Sequence, residues 1–267
     1  MDFRTIVDIP KPDFEIAPCE SLLFVGSCFA DAIGQRFLEE KFRVIVNPYG
    51  VMYNPASILH TVQKLSSLHA PLSTVKAAFL TLGTNHVYRL KETGEIVDNC
   101  QKRPQSLFQE EELSVDECAD YLQQTIDVLR AQNPEMHIVL TVSPIRYRKY
   151  GYHGSQLSKA TLLLAVERLN VNYFPAYEIV NDELRDYRFY QADMLHPSDQ
   201  TVSYIWERLS EVYLSKEANL FLKEWAPLKA VLNHKPFNPK SEEYQALIDK
   251  TMLKVGELQK KYPNFAI

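Results

Sequence analysis

Cysteine is scarce in this sequence and unpatterned. The four residues, Cys19, Cys28, Cys100 and Cys118, stand far apart with no Cys-x-x-Cys pair. That spacing favours reduced thiols over a disulfide framework or a cysteine zinc site. His60, His69, His86, His137 and His234 show no metal-ligand spacing either, so no metal is expected. No apolar run is long enough to span a membrane. The opening residues Met1-Asp2-Phe3-Arg4-Thr5 lack a basic segment running into an apolar core, so no secretory leader and a cytoplasmic location are expected. Positive charge is in deficit: 29 Lys and Arg stand against 34 Asp and Glu, a net charge of −5. Non-specific nucleic-acid binding needs a basic surface, which this composition does not supply.

What is present is a chain of 267 residues, enough for one large core or a domain with an appendage. The chain is organised around Leu22-Leu23-Phe24-Val25-Gly26-Ser27-Cys28-Phe29-Ala30-Asp31. Leu22 to Val25 read as a buried strand. Phe29, Ile33 and Phe37 recur every four residues, as one helix face does. Ser27 therefore sits on a strand-to-helix turn at the carboxyl edge of a sheet, where open α/β sheets bind ligands. The turn also offers Ser27 the role of helix N-cap.

Far downstream, Asp193-Met194-Leu195-His196-Pro197 precedes a helical pattern through Val202, Ile205, Trp206, Leu209 and Tyr213. An Asp three residues before a His can fix the imidazole tautomer, and the His can serve as base for a hydroxyl. Asp199 and Asp186 compete with Asp193 for that orienting role. An early serine with a late Asp-x-x-His resembles the layout of the SGNH (GDSL-like) hydrolases. Gly26-Ser27-Cys28-Phe29-Ala30 is similar to the signature of the GSCFA-domain family, and the likeness runs from about residue 3 to about residue 214. The resemblance implies a serine esterase acting on a small ester, such as an O-acetyl group on a carbohydrate. It makes Ser27 the nucleophile, His196 the base and Asp193 the orienter, with no cofactor. It further implies an oxyanion hole from the Ser27 amide, a second-block glycine, for which Gly50 is the candidate, and Asn85. Gly83-Thr84-Asn85 matches the start of the third block, but His86 stands where an Asp is expected.

The remaining pattern alternates. Strands are expected at 42–46, 77–82, 137–142 and 171–174, helices at about 56–68, from Ser114, and at about 156–169, with a hairpin across 87–97. Such alternation implies a three-layer α/β/α sandwich with a mainly parallel sheet, to which the resemblance adds a flavodoxin-like strand order. Residues 1–214 are expected to form the hydrolase domain. Residues 215–267 are expected to form a C-terminal helical extension packed on it, which could also join a homo-oligomer.

Ser143 and Arg146 end the fourth strand, and with His153 and His86 they are candidate pocket residues. Tyr173, Tyr177, Tyr187, Phe189 and Tyr190 crowd the approach to Asp193, as packing or as a stacking surface. Two other readings stay open: a non-catalytic ligand-binding module on the same fold, and a thiol enzyme using Cys28.

Overall fold

The computed structural model describes residues 3–68, 71–98, 100 and 103–266; His69 lies outside them. Five parallel strands form the main sheet: β1 (Ser21–Gly26), β2 (Arg43–Val46), β3 (Val75–Leu82), β7 (His137–Val142) and β8 (Asn172–Tyr173). Their order is β2-β1-β3-β7-β8. Counting only these strands the order is 2-1-3-4-5, the flavodoxin-like arrangement. Between β3 and β7 lies a small antiparallel sheet in the order β5-β4-β6, from β4 (His86–Leu90), β5 (Ile96–Val97) and β6 (Phe108–Glu112). The expected hairpin is therefore three-stranded.

Alternate side chains of the central strands sort into two cores, as a period of two requires. Leu22, Phe24, Ala77 and Phe79 face one layer, which holds α1 (Cys28–Glu39), α5 (Ala176–Glu178) with the π-turn Ile179–Leu184, and α6 (Asp199–Tyr213). Leu23, Val25, Ala78 and Leu80 face the other, which holds α2 (Pro55–Ser67), α3 (Val115–Gln132) and α4 (Gly151–Glu167). The result is a three-layer α/β/α sandwich. A parallel sheet covered on both faces needs near-continuous apolar strands, and β1 and β3 are of that kind. Phe24 stacks on Phe79 with ring centroids 4.8 Å apart and tilts against Phe37 at 5.4 Å. Truncating such a buried ring typically costs ~3–5 kcal/mol.

The last two helices, α7 (Lys216–Asn233) and α8 (Glu242–Lys261), add Phe221, Trp225, Val255 and Leu258 to the first core. α7 and the chain end after α8 grip the carboxyl end of α1. The Trp225 indole donates to the Glu39 carbonyl at 3.1 Å, Lys229 reaches both Glu39 and Glu40, and the Ala266 amide donates to the Lys41 carbonyl. No described helix is long and apolar enough to cross a membrane.

Candidate active site

β1 ends at Gly26 with φ +145, and a Cβ there would lie 2.1 Å from the Thr81 carbonyl oxygen. Only glycine lets β1 close onto β3 at this point. The Ser27 amide then donates to the Thr81 oxygen, and Ser27 takes the N-cap position of α1. Its hydroxyl accepts from the Phe29 amide at 3.3 Å, and the residue is 0% exposed. Ser27, expected at the point of attack, is thus a buried residue at the helix end. Cys28 follows as the first helical residue, half-buried, and lines a cleft of about 420 Å³ together with Phe29, Ile145, Gln191, His196 and Pro197. Ser27 is buried at the turn, whereas Cys28 is among the residues that line the cleft which His196 also lines. Burial raises the Cys28 pKa and Asp31 adds to the rise. The Tyr53 hydroxyl beside the sulfur and the residue's own amide oppose it.

The Asp193–His196 turn is built as the spacing suggests. Met194 adopts φ +60, which folds the chain back on itself. One Asp193 oxygen accepts from the amides of Leu195 (2.8 Å) and His196 (3.0 Å), and the other sits 2.6 Å from His196 Nδ1. Those amides, together with the imidazole, hold Asp193 down at a pKa of about 2. With Nδ1–H donated to the carboxylate, Nε2 is the nitrogen left to accept a proton. The rivals are placed otherwise: Asp186 pairs with Arg188 at 3.1 Å, and Asp199 opens α6. Arg146 pins the turn from the end of β7. Its amide donates to the Leu195 carbonyl at 3.1 Å and its guanidinium to the Met194 carbonyl at 2.9 Å. The same guanidinium lies over Tyr152, Tyr187 and Tyr190.

Two expected oxyanion donors are engaged elsewhere. The Gly50 amide donates to the Asn47 carbonyl at 2.8 Å in an exposed turn with φ +92. The Asn85 side chain donates to the Leu113 carbonyl at 2.7 Å and is only 3% exposed, tucked under the small sheet. Ser143 is fully buried, its hydroxyl accepting from the Ile145 amide. His153 is exposed on α4. Neither lies in the cleft of His196.

His86 does reach a cavity, a second one of about 440 Å³ bounded by Tyr53, Asn54, His86, Tyr88, Tyr147 and Tyr150. It is 8% exposed, stacks on Tyr150 at 3.6 Å, and burial lowers its pKa. Among the described residues no group of three or more His, Cys, Asp or Glu is placed to hold a metal ion.

Sequence reasoning missed Tyr53, Tyr147 and Lys159. Lys159 carried a signal: it falls among Ser155, Ser158, Leu162 and Val166 on the buried face of α4. At 2% exposure it donates to the carbonyls of Gly83 (2.6 Å) and Ser143 (2.7 Å), holding the ends of β3 and β7 together.

Among solved structures, the chain is similar to an acetylxylan esterase from Geobacillus stearothermophilus, with 12% identity, a TM-score of 0.47, and coverage of 76% of this chain and 98% of that one. It is also similar to a member of the lipolytic G-D-S-L family from Veillonella parvula, with 13% identity, a TM-score of 0.47, and coverage of 72% and 97%. Comparison with curated proteins finds no match. The profile described as "GSCFA family" matches residues 21–69 and 60–209, and that described as "GSCFA domain protein, C-terminal domain" matches residues 225–267. By that coverage, which takes in both the Gly26–Ala30 turn and the Asp193–His196 turn, the chain belongs to the GSCFA family.

Proposed function

We propose that this chain is an ester hydrolase whose attacking group is the Cys28 thiol, with His196 as base and Asp193 as its orienter. One observation carries the reading: Cys28 and His196 line the same cleft, while the Ser27 hydroxyl is buried and caps α1. His196 Nε2 takes the thiol proton, and the sulfur attacks the ester carbonyl to give a tetrahedral oxyanion. The C–O bond breaks as the alcohol leaves with the proton from His196, and an acyl-thioester remains on Cys28. A water, deprotonated by His196, attacks the thioester and releases the acid and the free thiol. The tyrosine wall of the second cavity suits an alcohol that carries a ring, and a carbohydrate O-ester is the substrate class we propose. Free thiols fit action in a reducing compartment, the cytoplasm. In this reading residues 1–214 carry the chemistry and residues 215–267 support them.

The test is hydrolysis of p-nitrophenyl acetate and of an acetylated monosaccharide by the full chain and two variants. Cys28→Ala should lose on the order of 10²-fold or more in rate, and iodoacetamide should inhibit the wild type. Ser27→Ala should keep the rate within a few-fold and lose ~1 kcal/mol of stability with its cap. The reverse pattern makes Ser27 the nucleophile, as the sequence resemblance implies. A wild type that hydrolyses neither ester, and whose Cys28 resists alkylation, would instead be a binding module on this fold.

A further inference from the structure

An acyl transfer at this turn needs donors for the developing oxyanion. The three groups that sequence reasoning nominates, the amides of Ser27 and Gly50 and the Asn85 side chain, are already donating to Thr81, Asn47 and Leu113. The neighbourhood of the sulfur offers something else. Tyr53 comes from the loop after β2, and its backbone carbonyl accepts from the amides of both Gly83 (2.9 Å) and Thr84 (2.8 Å). The loop is thereby locked to the carboxyl end of β3, and the phenol hydroxyl is held beside the Cys28 sulfur. Behind it stands Tyr147, edge-on to the Tyr53 ring with centroids 6.2 Å apart. The Tyr147 hydroxyl is buried and has no hydrogen-bond partner among the described residues. A buried hydroxyl without a partner costs stability, so its place here calls for a physical reason.

Gly83 shows how closely the second phenol is fitted. A Cβ on Gly83 would stand 2.2 Å from the Tyr147 hydroxyl and 2.9 Å from the Tyr53 carbonyl oxygen. The loop after β3 has therefore given up a side chain at the spot where this hydroxyl sits. Lys159 fixes the same corner from beneath, through the carbonyls of Gly83 and Ser143 and with its ammonium 4.9 Å from the Tyr147 ring centroid.

We propose that the Tyr53 hydroxyl is the side-chain donor of the oxyanion hole, standing in for the diverted Asn85, with the orphaned Tyr147 hydroxyl as second donor at the same corner. The proposal rests on the Cys28 reading above. Both phenols stay protonated at any working pH: burial pushes Tyr53 up to about 12 and Tyr147 well above its ordinary value. Each therefore remains a neutral donor, able to strengthen its hydrogen bond as negative charge gathers on the substrate oxygen. Once His196 has taken the Cys28 proton, the Tyr53 hydroxyl does the same for the sulfur anion, so one group serves nucleophile and intermediate in turn.

The experiment uses the full chain with Tyr53→Phe, Tyr147→Phe and Cys28→Ala. Tyr53→Phe keeps the ring and removes only the donor, and a thermal melt checks that the fold survives. With p-nitrophenyl acetate, Tyr53→Phe should lower kcat on the order of 10²-fold while KM moves less than about threefold, and Tyr147→Phe should lower kcat by less. A second readout needs no turnover: iodoacetamide alkylation of Cys28 against pH, resolved from Cys100 by peptide mass spectrometry. Its midpoint should move to higher pH in Tyr53→Phe, because the thiolate loses a donor. If Cys28→Ala is inactive but Tyr53→Phe keeps both kcat and the alkylation midpoint, the donor role is wrong and the thiol reading stands. If Cys28→Ala keeps the wild-type rate, the thiol reading falls and the donor role falls with it.

Discussion

At the scale of single residues, the turn after β1 shows how a capping bond redirects chemistry. A serine at a strand-to-helix junction has two uses for its oxygen, and the Phe29 amide claims it at 3.3 Å. The next residue, Cys28, opens α1 and lines the cleft. The Asp193 carboxylate makes a comparable choice by accepting two amides and an imidazole together. Its pKa of about 2 lies below the unfolded value of ~3.9, so its contribution to stability is present above ~3.9 and is lost as pH falls through about 2. Asp193→Asn should therefore be less stable than the wild type near pH 6, by a small margin because the site is exposed. The gap should close between ~pH 4 and about 2, measured by chemical denaturation across that range. At neutral pH the same variant should lose on the order of 10²-fold or more in hydrolysis, since the amide can donate to Nδ1 and hold His196 in the wrong tautomer.

At the scale of elements, the small sheet β4–β6 is tied to α2 by His60, whose Nδ1 lies 2.7 Å from an Asp98 oxygen. The hydrogen bond to Asp98 raises the His60 pKa, against the opposing effect of burial. A raised histidine stabilises below its unfolded pKa of ~6.5, and that stabilisation disappears as pH rises through the folded value. Asp98→Asn should bring the His60 pKa down in an NMR titration. At low pH it should make the 86–112 segment more open to proteolysis than in the wild type, a difference that narrows at high pH. The sequence showed some of these elements better than others. β1, β3 and β7 were visible because strands covered on both faces must be apolar nearly throughout. β6 was not, because Gln109-Glu110-Glu111-Glu112 sits on a sheet wetted on one side and carries no apolar alternation. α4 begins at Gly151 and not near Gln156, since its first turn is polar and exposed. The Asp193–His196 turn was legible from spacing alone, because three residues suffice to close it. The corner where Tyr53, Gly83 and Tyr147 meet was not, because they come from three separate loops and meet only once the sheet order is set.

At the scale of the whole molecule, the core on the α1 face is continuous from Phe24 to Trp225 and Phe265. Trp225 is 2% exposed and its indole donates to the Glu39 carbonyl. Trp225→Ala should cost ~3–5 kcal/mol in chemical denaturation. It lies at the far end of α1 from Cys28, so the KM for a small ester should stay within about twofold of wild type at temperatures where the variant remains folded. The contacts of α7 and of the chain end with Glu39, Glu40 and Lys41 have a mechanical side. α1 is a rod of 12 residues, ~18 Å long at 1.5 Å per residue, with the thiol at its front end and α7 and the chain end clasping its rear. A rod transmits displacement along its axis with little loss. A partner that bound α7 or the chain end and loosened the clasp would therefore be felt at Cys28, the attacking group we propose, although it touched nothing within the cleft.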